Sequence, residues 1–230
     1  MFTVIFEVQP KKERWNDYLE LAKYLKPKLE AIDGFIDNER FSSSRTEGRV
    51  LSLSTWRDEK ALVRWRTQEQ HHRVQEQGRF EVFDDYHLRV GEVTDDTDPP
   101  SGIAPVQQRF DESEVAAAKA VSITELTPLR NATRSVAAGG LAAELGLGER
   151  AAGLVDCEVF ESIYNPGKLL LLASWRDADA ARNWRPMPSD AAGKLRHRLV
   201  RVVRDYGMTD RREAPQFYPA VPRQHGGAAE

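Results

Sequence analysis

The 230-residue chain is 40% apolar and 30% charged, with a net charge of -3, a pI near 6.0 and a mean hydropathy of -0.57. These values suit one large or two small water-soluble domains and argue against a general nucleic-acid binder. No apolar run approaches the ~20 residues a helix needs to cross a bilayer. The first residues lack the basic-then-apolar order of a signal peptide, so a cytoplasmic protein with no membrane partner is expected. Cys157 is the only cysteine, which excludes an intrachain disulfide and a CxxC-type zinc cluster; it reads as a packed strand residue rather than a nucleophile.

In chain order, Phe2 to Val8 is rich in Phe, Val and Ile and reads as a strand ended by Pro10. Trp15, Tyr18, Leu19, Ala22, Leu25, Leu29 and Ile32 then recur at three- and four-residue spacing, the pattern of an amphipathic helix. Pro27 is expected to kink or fray it, and Gly34 to close it. Phe35 to Phe41 and Arg49 to Trp56 flank a Ser/Gly-rich turn and read as a hairpin. Asp58 suits the N-cap of a second helix that carries Ala61, Leu62 and Trp65 on one side. A last strand runs from about Tyr86 to Val93.

The second half repeats the first. "STWRDEKALVRW" ends at Trp65 and "ASWRDADAARNW" at Trp184, 119 residues later. At the same offset Gly34 meets Gly153, Asp37 meets Asp156, Glu39 meets Glu158, Phe41 meets Phe160 and Gly48 meets Gly167. So long a period means a duplicated domain, not a solenoid. The boundaries read as a first domain at 1–93, an acidic Pro/Gly-rich linker at 94–119 running over the surface, a second domain at 120–210, and a tail at 211–230 with a disordered end. Each copy has the order β-α-β-β-α-β, a ferredoxin-like unit. Two helices cover one face of such a sheet, and the other face must be buried elsewhere. The expected fold is therefore α+β: two ferredoxin-like repeats closing on each other as an intrachain dimeric α+β barrel. A homodimer of the whole chain is a further expectation. The second copy's helix, interrupted by Pro186, Pro188 and Gly193, should be broken or short, leaving one copy with a pocket and the other to complete the barrel. Arg-rich "KLRHRLVRVVRD" reads as the solvated face of an amphipathic element.

The S-x-W-R-D motif, a helical Trp nine residues later and the repeat length resemble the antibiotic biosynthesis monooxygenase (ABM) family, closely over 1–93 and more loosely over 120–210. The resemblance implies the dimeric α+β barrel and either of two chemistries on a small hydrophobic or aromatic substrate. In the cofactor-independent branch, which turns phenolic anthrones into quinones, the functional helical Trp corresponds to Trp65. Its polar partner one turn earlier falls at Ala61, leaving His72, Tyr86 and Arg89 as replacements. In the haem-degrading branch the first-strand Asn falls near Phe6 and the proximal His at Gln75, with Lys194 in the second copy, so haem is the disfavoured alternative.

The leading expectation is a monooxygenase without bound metal, flavin or haem, acting on an aromatic or polyketide-like compound, with Trp65, His72 and Tyr86 as the catalytic candidates. The alternative is a non-catalytic barrel that binds a hydrophobic metabolite or haem. Histidine suits general-base work near neutral pH, but neighbouring helical residues diverge by about 100°, so one of His71 and His72 is expected to face a pocket. Strand parity sets Tyr86 with Leu88 and against Arg89; with Tyr86 facing a barrel lumen, Arg89 would face solvent. Asp58 and Asp177 read as helix caps, not acids.

Overall fold

The computed structural model describes residues 1–129, 136–187 and 193–215. Strand β1 (Phe2–Pro10) leads into helix α1 (Trp15–Glu30), the hairpin of β2 (Phe35–Ser43) and β3 (Val50–Trp56), helices α2 (Glu59–Arg66) and α3 (Glu69–Gln77), and the long strand β4 (Phe83–Asp96). The second half repeats the plan with β5 (Ala120–Pro128), a short α4 (Leu141–Glu144), β6 (Leu154–Ser162), β7 (Leu169–Trp175), α5 (Ala178–Asn183) and β8 (Gly193–Gly207). All eight strands close into one barrel in the order β1-β3-β2-β6-β7-β5-β8-β4. Each half contributes a sheet ordered fourth-first-third-second, so the α+β fold of two ferredoxin-like repeats is as expected.

The repeated sequence signals have repeated physical causes. Asp58 Oδ1 accepts from the Ala61 amide and Asp177 Oδ1 from the Ala180 amide, each at 2.8 Å, capping α2 and α5. Gly34 and Gly153 both have positive φ, 89° and 79°, and a β-carbon at either would collide with Ala61 or Ala180 at 2.6 or 2.4 Å. The glycine is thus fixed by backbone sign and by helix approach together.

Two strand joints close the barrel, and each is self-complementary. At the first, Phe41 pairs with Ser162 and Ser43 with Phe160, equivalent residues exchanged across a pseudo-two-fold axis. At the second, Val93 pairs with Val200 and Gly91 with Val202. The interior holds Met1, Ile5, Phe41, Leu51 and Leu53 from the first repeat against Val121, Ile123, Phe160, Leu170 and Leu172 from the second. This is the sheet face that the helices leave bare.

Two buried arginines also lie inside. Arg89 donates to Glu7 at 2.6 Å and crosses to Ser174 of the other repeat at 2.7 Å. Its counterpart Arg198, 1% exposed, bonds Glu125 and reaches Thr55 at 3.3 Å. Burial acts to raise the Glu125 pKa, but the charges of Arg198 and Lys168 prevail and hold it low. Arg89 therefore does not face solvent, and the "KLRHRLVRVVRD" segment is not a solvated face. It is β8, whose Arg198 is in the core and whose Arg196 and Arg201 pair with Asp96 and Glu92. Alternation set Arg89 apart from Tyr86, but the buried partner carboxylates on neighbouring strands, which keep these arginines out of water, were invisible.

Two other expectations change. Helix α1 does not fray at Pro27 but runs on to Glu30; the proline removes one hydrogen bond, to the carbonyl four residues earlier, and the residues after it keep theirs. The segment between β4 and β5 does not merely skirt the surface: Ser113, Ala116 and Ala118 are buried, and the Ser113 amide bonds Val202 O at 2.8 Å. The last part of the tail, past 215, lies outside the described residues.

Replacing Glu125 by Leu strands the Arg198 charge in the barrel. The Glu125→Leu variant should lose about 3–5 kcal/mol of stability in urea unfolding, and adding Arg198→Met should restore most of it.

Candidate active site

A cavity of about 570 Å³ lies between the first repeat's sheet and its helices, not inside the barrel. Its floor is divided. Val4 and Phe6 of β1 with Leu88 and Val90 of β4 form an apolar half, while Asn38 and Arg40 of β2 with Ser52 and Ser54 of β3 form a polar half. Leu21 and Leu25 of α1, Leu62 and Trp65 of α2, and Val74 of α3 line the helical side. Volume and composition fit a small amphiphilic ligand.

Trp65, His72 and Tyr86 all line this one cavity. His72 is the most peripheral: it is 47% exposed and its Nε2 lies 3.6 Å from Glu76 Oε1. Its neighbour His71 lines the cavity from within. The His71 ring stacks on Trp65 at 4.1 Å with a 17° interplanar angle, and its Nδ1 lies 3.0 Å from the Trp65 carbonyl oxygen. A carbonyl only accepts, so Nδ1 carries the proton and Nε2 a free lone pair. Burial lowers the His71 pKa to about 4, despite the opposing pull of the Trp65 carbonyl, so the ring is neutral at pH 7.

Tyr86 is buried but faces the helices and not the barrel lumen expected for it, sharing that face with Leu88; its hydroxyl accepts from Arg211. Burial raises its pKa, and the Arg211 charge opposes the rise. Neighbouring Tyr206, which also lines the cavity, is pushed up to about 12, chiefly by burial. Both phenols are protonated donors near neutrality. Phe6 and Gln75 line the cavity at the two positions that the haem-degrading branch fills with Asn and His; a carboxamide is a poor iron ligand.

Tyr18, Asn38 and Arg40 were not singled out as site residues from sequence, and His71 was named only as the alternative to His72, whereas both histidines line the cavity. The signal for the two β2 residues was present in "FIDNERF": Glu39 and Phe41 face the barrel, so Asn38 and Arg40 take the helix-covered face, where an ordinary strand would be apolar. His71 carried no such mark, because its choice over His72 depends on the break between α2 and α3.

On the corresponding side of the second repeat the described residues form an apolar cluster. Leu141, Leu145, Leu147 and Leu199 pack around Trp175, and Trp184, the counterpart of Trp65, stacks on Trp175 at 5.8 Å. Helix α5 stops at Asn183, as the prolines lead one to expect; Pro188 lies outside the described residues. His197, 2% exposed, sits edge-on to Trp184 at 5.4 Å with Nδ1 2.8 Å from Thr124 Oγ1, and burial lowers its pKa to about 4.

The sequence profile of antibiotic biosynthesis monooxygenases matches residues 1–77. A relative from Pyricularia oryzae named jasmonate monooxygenase ABM is 44% identical over 224 residues, spanning 95% of this chain and 99% of that protein. Among solved structures, an aldoxime dehydratase aligns over 87% of this chain and 80% of its own with a TM-score of 0.52 at 12% identity, a likeness of fold. An anthrone oxidase-like protein aligns over 93% of this chain and 95% of its own with a TM-score of 0.35 at 15% identity. Among the described residues no helix is long and apolar enough to cross a membrane.

His197 makes stability depend on acid. Its pKa falls from 6.5 unfolded to about 4 folded, so in that window the unfolded chain binds a proton that the folded chain refuses. Its contribution is complete above pH 6.5 and is lost as pH falls toward 4, with a slope approaching 1.4 kcal/mol per pH unit. Urea unfolding at stepped pH should show a shallower acid loss in His197→Gln than in the parent; equal slopes would contradict the neutral buried ring.

Proposed function

The chain belongs to the antibiotic biosynthesis monooxygenase family, and we propose that it oxygenates a small hydrophobic molecule held in the first repeat's cavity, using O₂ without a bound metal, flavin or haem. The proposed substrate has a C–H made acidic by a neighbouring carbonyl or phenol. Jasmonate, named in the 44%-identical relative, is a cyclopentanone carboxylate of this kind; anthrones are another. The observation that carries the reading is the neutral His71, stacked on Trp65 with its Nδ1 held by the Trp65 carbonyl, in the same cavity that the phenol of Tyr86 lines.

His71 Nε2 takes the acidic proton. Its low pKa leaves the lone pair available at neutral pH, and negative charge developing on the substrate beside it raises its proton affinity as the transfer proceeds. Tyr86 donates its hydroxyl hydrogen to the developing enolate or phenolate oxygen, with Arg211 behind it polarising the phenol. Trp65 holds the His71 ring in place and gives the substrate an aromatic wall, while His72 and Glu76 stand at the rim. The carbanion passes one electron to O₂; the resulting radical pair combines into a substrate hydroperoxide. Loss of water from that hydroperoxide leaves a carbonyl where a CH₂ stood. The substrate supplies all four electrons, so CH₂ plus O₂ becomes C=O plus H₂O with no external reductant.

Oxygen uptake and mass analysis with isotopically heavy O₂ test this, using jasmonic acid and an anthrone as probes. One heavy oxygen atom should enter the product. His71→Gln should lower kcat by about 10²–10⁴-fold and Tyr86→Phe by about 10²–10³-fold, with smaller effects from His72→Gln. Saturable binding of the probes with no oxygen uptake would instead make the barrel a binding protein.

A further inference from the structure

Tyr18 and Arg40 have no part in the chemistry just described, yet each carries a buried polar atom on the cavity wall without a hydrogen-bond partner, as does Arg66. Tyr18 is 5% exposed; its hydroxyl lies close enough to Arg40 to feel that guanidinium but has no hydrogen bond of good geometry. Arg40 Nε is buried and equally without a partner. Among the described residues the Arg40 guanidinium makes one side-chain hydrogen bond, 3.4 Å to the Tyr164 hydroxyl, and no ion pair. Its strand neighbour Glu39 is spent on Lys168 and Ser162. A half-buried guanidinium whose Nε is shut off from water has donors that an anion would complete. Among the described residues no carboxylate pairs with it, and the group lines a ligand-sized cavity.

We infer that Arg40 and Tyr18 form an anion subsite that takes a carboxylate of the substrate at the polar half of the cavity. The inference rests on the reading of this cavity as the substrate site. The guanidinium supplies the charge and a planar edge of donors, and Tyr18 adds an O–H. Burial raises the Tyr18 pKa against the opposing charge of Arg40, so the phenol keeps its proton and donates. Asn38 cannot compete for the ligand through its amide hydrogens, which are bonded to Ser52 Oγ at 3.1 Å and Leu53 O at 3.0 Å. A carboxylate at this end sends the rest of the molecule over Val4, Phe6 and Leu88 toward Tyr86 and His71. The substrate class is thus a small apolar monocarboxylic acid, read by its acid group at β2. Each end of the molecule then has its own task, position at Arg40 and reaction at His71. Arg66 is the rival anchor, since its Nε is also buried without a partner and it also lines the cavity.

Equilibrium binding of jasmonic acid and of methyl jasmonate, followed by tryptophan fluorescence without turnover, separates the cases. The parent should bind the acid at least about tenfold more tightly than the ester, the scale of a hydrogen-bonded charge. Arg40→Met should abolish the preference by weakening the acid alone, Arg40→Lys should restore part of it, and Tyr18→Phe should weaken the acid several-fold. Tyr164→Phe should keep the preference, because it removes a protein contact but no charge. Equal binding of acid and ester by the parent, equal weakening of both by Arg40→Met, loss of the preference in Arg66→Met alone, or no saturable binding of the acid would each overturn the assignment. Acid-selective binding that depends on Arg40 but comes without oxygen uptake would sink the oxygenase reading and leave the subsite standing.

Discussion

Everything in this molecule follows from one bare sheet face. A ferredoxin-like sheet with its helices on one side leaves a full layer of side chains such as Ile5, Leu51 and Leu53 facing outward, and water cannot be their neighbour. The second repeat offers Ile123, Leu170 and Leu172 at equivalent positions, so the two layers bury each other and the strand edges join at β2–β6 and β4–β8. Closure removes the edges that would otherwise pair with other chains. The crossed contacts of Arg89 to Ser174 and Arg198 to Thr55 fix the relative register of the repeats, because each arginine must find both its own glutamate and the other repeat's hydroxyl.

Covalent fusion frees the halves to differ. In an assembly of identical chains a change that fills one helix-side space fills both. Here 33 residues separate Trp56 from Arg89 but only 23 separate Trp175 from Arg198, and those ten residues are the material of α3 and the wide turn after it. The first repeat uses them to roof a cavity and deliver His71; the second lets Trp184 fall onto Trp175 and packs leucines below. A hollow forfeits dispersion contacts and a filled space gains them, so the solid repeat acts as the rigid floor of a chain whose other half carries an opening.

How much of this the sequence displays depends on the range of the interaction. The Trp-Arg-Asp motifs, Gly34 and Gly153, and the two Asp caps are local and repeated, and they made the duplicated barrel legible before any coordinates. Trp65 reaches the cavity on the helix face its periodicity marks; Tyr86 reaches it too, but from the helix-covered side of the sheet and not from the lumen its parity with Leu88 was taken to mean. Arg89 defeated the same parity rule: parity separated it correctly from Tyr86, but the face opposite the helices is the dry interior, not water, and only Glu7 and Ser174 from other strands make that burial tolerable. The preference for His71 over His72 was unreadable for a similar reason, since it rests on the Trp65 carbonyl, which takes the His71 ring as well as the Gln68 amide where α2 gives way to α3.

Strand β2 joins these levels. Its odd-numbered residues enter the barrel, where Phe41 packs and Glu39 binds Lys168 and Ser162 across the repeat boundary. Its even-numbered residues, Asn38 and Arg40, enter the cavity. The Arg40 carbonyl accepts from the Ile163 amide at 3.0 Å, and its guanidinium leans on Tyr164, so the second repeat holds this part of the cavity wall from behind. The hollow repeat therefore does not own its site alone: a shift of register at the β2–β6 joint by a single residue would turn Arg40 into the barrel and Glu39 into the cavity, reversing the sign of the charge that an incoming ligand meets.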